Sequence, residues 1–186
     1  MSREKIINQS KKAFVDALFC LLERESFENI TIKQLTLESG YSRRTYYRYF
    51  SSKSAILDEM LFQYLNSYHD YLLKLTFVPE DIPNLFIHFL WPHRQRFRLL
   101  AKRNLLIPLL TRHITTIVNM LLTINVPWRQ KESSNKLQYY YTITYSVGGF
   151  YILLDTIFKE SLPQNPQQIS DSLTEGLKEI TIQINN

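Results

Sequence analysis

The segment GYSRRTYYRYFSSK, residues 40–53, brings together basic, aromatic and hydroxyl side chains and contains no acidic residue. Its basic members are Arg43, Arg44, Arg48 and Lys53. Arginine can donate two hydrogen bonds to the edge of a guanine base, and hydroxyl and ammonium groups suit phosphate oxygens. These side chains could therefore contact DNA if the element that carries them turns them outwards.

That element is predicted to be the second helix of a helix-turn-helix unit. An amphipathic helix is expected over residues 3–25, followed by a helix that Thr31 can cap, with Gln34 completing a capping box. Gly40 suits the left-handed position that ends this helix, and Ser42 can cap the next one. A short connection that contains a glycine is typical of helix-turn-helix units.

The side chains of the second helix divide into two faces. On a helix over 43–49, Tyr46 and the flanking Phe50 face the preceding helices, whereas the three arginines and Tyr47 project outwards. A recognition helix turns its N-terminal residues toward base edges in the major groove. A merely solvated basic face is the alternative, but the coincidence of caps, turn and outward charge favours DNA binding. The predicted DNA-contacting residues are Thr31, Lys33, Ser42, Arg43, Arg44, Thr45, Tyr47, Arg48, Tyr49 and Lys53.

The stretch TIKQLTLESGYSRRTYYRYFSSKSAIL resembles the signature of TetR-family transcriptional regulators. The resemblance covers residues 31–57 closely and includes the turn glycine and the aromatic group that ends at Phe50. Tyr41 departs from the family pattern, which more often has a small aliphatic residue there. The resemblance implies that phosphates are held by Tyr47, Tyr49 and Lys53, and that bases are read or approached by Arg43, Arg44, Thr45 and Arg48.

The composition favours an all-α chain with two domains. Of the 186 residues 45% are hydrophobic, and the four glycines argue against a turn-rich β-sandwich or barrel. Pro79 and Pro83 interrupt the helical pattern beyond a fourth helix that starts near residue 52. We therefore expect a helix-turn-helix domain over 1–50 and a helical effector-binding and dimerisation domain over 51–186. Further helices are expected at 81–91, 93–103, 105–125, 134–160 and 166–184.

Two apolar stripes near the C-terminus predict a homodimer. Two helices from each chain could form a four-helix interface, although an intramolecular core is the alternative. The stripes consist of Tyr140, Thr144, Val147, Gly148 and Tyr151 on one helix, and of Ile169, Leu173, Leu177 and Ile180 on the next.

The middle of the chain is unusually aromatic, which is compatible with an effector pocket as well as with an ordinary core. The candidate pocket residues are Phe86, Phe89, Trp91, Phe97, Trp128, Tyr141 and Tyr145. A second basic block over 94–112 could favour an anionic effector or lie over DNA, or it could be a solvated helix face.

Sequence patterns for catalysis or metal binding are missing, so we expect neither an enzyme nor a metal or cofactor. The four histidines are scattered, and the chain has no HExxH, no CxxC and no glycine-rich phosphate loop. The single cysteine, an N-terminus without an apolar core and the lack of a long apolar run indicate a cytoplasmic protein without a membrane span. The sequence thus predicts a homodimer that binds a palindromic double-stranded DNA operator and represses transcription until an unknown small-molecule effector releases it. The alternative is an effector-independent architectural or division-control protein of the same fold.

Overall fold

A computed structural model describes residues 3–78, 81–124, 136–160 and 165–184, with the backbone alone at 83, 136 and 180–184. These residues form ten α-helices, a short 3-10 turn at Trp91–His93 and no strand, so the all-α prediction is confirmed. The helices are α1 Arg3–Arg24, α2 Ile32–Ser39, α3 Arg43–Tyr49, α4 Lys53–Leu72, α5 Ile82–Leu90, α6 Arg94–Lys102, α7 Leu106–Arg112, α8 Ile114–Thr123, α9 Lys136–Lys159 and α10 Pro166–Ile184.

Local capping chemistry sets the ends of α2 and α3 as predicted. The backbone N–H of Gln34 donates to Thr31 Oγ1 at 3.2 Å, and the N–H of Thr31 donates to Gln34 Oε1 at 2.8 Å, which completes the capping box. Gly40 ends α2 with a φ of +70°, a left-handed conformation that strains other residues. Ser42 Oγ then accepts from the N–H of Thr45 at 3.1 Å and starts α3. The helix-turn-helix unit is therefore confirmed.

Aromatic rings hold this unit to α1. The ring of Phe14 lies 5.6 Å from that of Tyr46 and 5.7 Å from that of Phe50, both edge-on. Tyr41 is half-buried with its ring 5.8 Å from Phe14, so the large residue in the turn packs onto the core. Since Tyr46 and Phe50 are buried, α3 must present its opposite face to solvent.

The long helix α4 connects the helix-turn-helix unit with the remaining helices. It begins at Lys53, capped by Ser52, and packs against α1 and α8. In the rest of the chain α9 packs against α6, α7 and α8, while α10 packs against α5. One cluster of buried apolar residues extends from Phe14 through α4 to Phe158. The predicted domain boundary at residue 50 stays a prediction, because the core is continuous across it.

The prediction of one helix over 105–125 was wrong. The chain forms α7 and α8 instead, which meet at His113 with a bend of 61°. The bend lets each helix turn its own apolar side chains onto α9. His113 also hydrogen-bonds through Nε2 to Asp58 Oδ1 of α4 at 2.8 Å, which holds the bend against that helix. No single described helix has both the length and the apolar character to cross a membrane, and α7 with α8 meets those two criteria only as this bent pair.

Candidate nucleic-acid interface and internal cavity

The outward face of α3 is basic, as predicted. Arg43, Arg44 and Arg48 are exposed, and Tyr47 is 61% exposed, whereas Tyr46 on the opposite side is completely buried. None of the three arginines forms an ion pair with any residue that the structure describes. Their hydrogen-bond donors are therefore available to an outside partner that carries acceptors, such as base edges or phosphates.

The arginines of α3 are held differently. The guanidinium of Arg48 lies 4.7 Å from the centroid of the Tyr49 ring, a cation–π arrangement that restricts its position. No such contact restricts Arg43 or Arg44 within the described parts of the chain. Arg43 and Arg44 occupy the first turn of α3, where a recognition helix turns toward base edges.

The predicted phosphate-contacting residues around this face differ in exposure and in the hydrogen bonds that they already make. Lys33 is exposed on α2, and the exposed hydroxyls of Thr31 and Ser42 are used as helix caps. Thr45 and Tyr49 are half-buried at the edge of the face. These positions are compatible with phosphate contacts, which stay predictions.

Lys53 has a different role from the predicted one. Its Nζ donates to the backbone carbonyls of Phe27 at 2.7 Å, Glu28 at 3.0 Å and Ile30 at 2.6 Å. The ammonium also lies 5.0 Å from the centroid of the Phe27 ring. An ammonium has three donors, and all three are used here. The interpretation of Lys53 as a phosphate ligand is therefore corrected: it fastens the start of α4 to the α1–α2 loop.

The family comparison agrees with this geometry. Residues 14–60 match the family model of bacterial regulatory proteins, tetR family. Over these residues the chain is a DNA-binding domain of the tetR type. No curated protein matches the chain. The members of this family are regulators rather than enzymes. Among the described residues, no group of three or more His, Cys, Asp or Glu side chains could hold a metal ion.

Two residues of the second basic block, Arg96 and Arg103, join α6 to α1. Arg96 of α6 pairs with Asp16 of α1, and its guanidinium lies 5.0 Å from the centroid of the Phe19 ring. Arg103, directly after α6, donates from Nε to Leu22 O at 2.9 Å and from Nη2 to Glu23 O at 3.4 Å. We call these contacts the α6–α1 clasp. For Arg96 and Arg103 the predicted roles toward an anionic effector, DNA or solvent were wrong.

The carboxylate in the α6–α1 clasp is stabilised in its charged form. Partial burial would raise the pKa of Asp16, but hydrogen bonds from Lys12 and Arg96 outweigh it and lower the pKa below its ordinary value. Asp16 therefore stays ionised at neutral pH, when both of its partners are positively charged.

A small cavity lies between α4, α5, α6, α7 and α9. Its volume is about 40 Å³, and its lining consists of Leu61, Tyr64, Leu65, Tyr68, Phe86, Phe89, Leu90, Phe97, Leu110, Tyr151 and Leu154. Three predicted pocket residues, Phe86, Phe89 and Phe97, are in this lining. The sequence reasoning missed the four residues from α4, although Leu61, Leu65 and Tyr68 recur at helical spacing beyond the part of α4 that packs on α1.

The other predicted pocket residues lie elsewhere. Trp91 packs beside the core without lining the cavity, and Trp128 is outside the described residues. Tyr141 and Tyr145 are 61% and 83% exposed, so they do not face this interior. Their assignment to the pocket was wrong.

The predicted dimer stripe of α9 faces the core of its own chain. Val147 and Tyr151 are only 7% and 8% exposed, and Tyr140, Thr144 and Gly148 on the same side are half-buried. Tyr151 also lines the cavity. The assignment of these residues to a dimer interface is therefore corrected. The surface of α9 that remains open carries large apolar side chains, and we call it the α9 exposed stripe: Leu137, Tyr141, Tyr145 and Ile152.

The predicted stripe of α10 is divided between core and surface. Ile169 packs against the main core, Leu173 is half-buried and Leu177 is 47% exposed. The side chain of Ile180 is outside the described residues. A contribution of α10 to an interface thus stays a prediction for its C-terminal half.

Proposed function

We propose that this protein is a repressor that binds a palindromic operator as a homodimer and leaves it when a small-molecule effector binds. The observation that supports the proposal best is the outward face of α3, where three arginines without ion-pair partners in the described chain stand beside Tyr47. A capped helix-turn-helix unit holds this face rigidly, as sequence readout requires.

In this proposal some side chains at the α3 face read bases and others contact phosphates. Arg43 and Arg44 read base edges, because they lie at the N-terminal end of the recognition helix and keep all their donors. Lys33 and Tyr49 contact phosphates and fix the register, with Arg48 held over the Tyr49 ring beside them.

Dimerisation through the α9 exposed stripe follows from its apolar character. Leu137, Tyr141, Tyr145 and Ile152 recur at four- and seven-residue steps, so they line one side of the helix. Gly149 is exposed within the stripe and would let a second helix approach closely. A two-fold interface of this kind would place two α3 helices on half-sites roughly 34–36 Å apart or at multiples of that spacing.

Effector response is supported by the position of the cavity. Its wall includes Tyr68 of α4, the helix that Lys53 fastens to the α1–α2 loop, and Phe97 of α6, the helix that holds α1 through Arg96. A ligand that displaces either wall would therefore move a helix that contacts the DNA-binding unit. An effector can change operator affinity only as far as it binds the two arrangements with different affinities.

The experiment begins by selecting binding sequences from random duplex DNA with the full chain. Arg43→Ala and Arg44→Ala should each relax base preference at one symmetric position of the selected site and cost about 1–3 kcal/mol per lost bidentate pair. Lys102→Ala is the control, because it removes one positive charge from an exposed position on α6. If both arginine variants bind with the affinity and base preference of the unaltered protein, α3 does not read DNA in this way.

A further inference from the structure

The cavity has a lining without any formally charged side chain. Eight of its eleven residues have purely hydrocarbon side chains, namely five leucines and three phenylalanines, and the other three are Tyr64, Tyr68 and Tyr151.

 The three tyrosine hydroxyls are therefore the polar side-chain groups of the wall. An ion that entered this cavity would lose its hydration without gaining a counter-charge, which is strongly unfavourable.

The hydroxyl groups in the wall are neutral as well. Burial raises the pKa of Tyr68 and of Tyr151 far above the ordinary value for a phenol, so both keep their protons at every physiological pH. Each can donate or accept a hydrogen bond. The wall can therefore satisfy a hydroxyl or carbonyl group on a ligand, but it cannot neutralise a charge.

His93 and Arg96, two ionisable groups beside the lining residue Tyr64, do not change this conclusion. The His93 ring lies 4.6 Å from that of Tyr64, and burial together with the neighbouring Arg96 lowers the pKa of His93, which favours the neutral imidazole. Arg96 itself is engaged by Asp16 in the α6–α1 clasp.

We propose that the cavity binds a small neutral molecule, aromatic or compactly apolar, with at most a hydroxyl or carbonyl group to meet the tyrosine hydroxyls. This inference rests on the proposed effector response, and it names the chemical class of the effector. The uncharged wall excludes organic acids, and a hydrophobic cation would have to recover its hydration energy from the aromatic faces alone.

The size of the cavity also indicates which walls must move. A cavity of about 150 Å³ accommodates benzene in an engineered protein, and the volume here is about 40 Å³. A single-ring ligand must therefore widen the cavity. The lining residues that are only half-buried, Tyr64, Leu65, Phe86 and Phe89, all lie on α4 and α5. These two helices have the least packing to lose, so widening displaces α4, the helix that begins at Lys53.

Three probes of similar size separate charge from shape: benzyl alcohol, benzoate and benzylammonium, each titrated into the full chain at pH 7.5. Binding is measured by ligand-observed NMR and by thermal stabilisation, and the affinity for the selected DNA is then measured with each probe. We expect benzyl alcohol to bind at least tenfold more tightly than either ion.

Variants locate the binding to this cavity. Leu154→Ala enlarges it and should tighten benzyl alcohol binding at least tenfold, whereas the control Leu18→Ala opens space in the core beside α1 and should not. Tyr151→Phe, which keeps the ring, should weaken benzyl alcohol several-fold while leaving toluene unaffected. This milder variant keeps the test decisive if an alanine variant does not fold.

The outcomes distinguish this inference from the proposed function. An ion that binds as tightly as benzyl alcohol, or no binding of any probe to the unaltered chain and Leu154→Ala, would overturn the neutral-ligand inference. If such an ion also lowers DNA affinity, effector response stands without it. Benzyl alcohol that binds in the cavity but leaves DNA affinity unchanged would support the ligand class and refute release by that class of effector.

Discussion

Replacement of Lys53 by methionine separates a structural role from a DNA-binding role for this side chain. Methionine keeps the unbranched shape and a good helix propensity, but it removes three hydrogen bonds from Nζ to carbonyl oxygens. It also removes the cation beside the Phe27 ring. Because these contacts fasten α4 to the α1–α2 loop, we expect Lys53→Met to destabilise the fold.

The magnitude follows from how each carbonyl is placed. The bond to Glu28 O is exposed, so water can replace it at little cost. The bonds to Phe27 O and Ile30 O are partly buried, and a hydrogen bond from a charged donor contributes about 1.5–3 kcal/mol. Partial access of water reduces the sum of the two, which leaves an expected loss of about 2–4 kcal/mol in the free energy of unfolding. For a chain of this size, that loss lowers Tm by about 5–15 °C.

The assay combines thermal unfolding with the salt dependence of DNA binding. A lost phosphate contact flattens the slope of log K against log salt by about 0.9 per half-site, whereas a lost structural contact leaves the slope unchanged. We therefore expect Lys53→Met to lower Tm without flattening the slope. The control Lys33→Met, at an exposed position on α2, should flatten the slope without lowering Tm. A Lys53→Met protein with unchanged Tm and a flatter slope would refute the structural role and restore the phosphate contact.

Two further predictions concern the dimer and the coupling between the two parts of the chain. Ile152→Asp, in the α9 exposed stripe, should dissociate the dimer, as measured by light scattering, because it places an unpaired charge in the interface. The control Val147→Ala should lower Tm and leave the dimer intact. The reverse pattern would return the interface to the stripe first predicted. Asp16→Asn and Arg103→Gln should each reduce the change in DNA affinity that an effector causes, from a typical coupling of about 1–3 kcal/mol toward zero. An unchanged effector response in both variants would show that the α6–α1 clasp does not transmit the effect of the ligand to the DNA-binding unit. Since the folded-state pKa of Asp16 is lowered, its contribution to stability is present above the unfolded-state pKa of about 3.9 and is lost only as the pH falls through the lower folded-state value.

The helix-turn-helix unit could be predicted because its determinants are close together in sequence. Thr31 and Gln34 satisfy each other across three residues, and Gly40 and Ser42 end one helix and start the next. Such contacts depend on the residue types and on their spacing, with little influence from the rest of the chain. The outward direction of Arg43 and Arg44 follows from the same spacing once Tyr46 is placed in the core.

Helix α9 shows why the interface could not be predicted in the same way. Its two apolar stripes, one through Val147 and Tyr151 and the other through Tyr145 and Ile152, are offset by about one residue, or roughly 100° around the helix. Both have helical periodicity, so periodicity identifies the helix without choosing the stripe that faces the core. The choice depends on how α6, α7 and α8 pack against α9.

The contacts that join the DNA-binding unit to the helices around the cavity could not be predicted from the sequence for a related reason. Arg96 meets Asp16, and Arg103 meets Leu22, across about eighty residues of sequence, and no local pattern marks either pair. In the sequence these arginines are simply part of a basic block. In the fold, Phe97 lines the cavity while the two arginines hold α1, so the segment of α6 contacts both the cavity and the DNA-binding unit. If a ligand displaces Phe97 as well as the walls on α4 and α5, it must strain either the α6–α1 clasp or the packing of α6 on α9, and an effector response lost in the coupling variants above would show that the clasp transmits it.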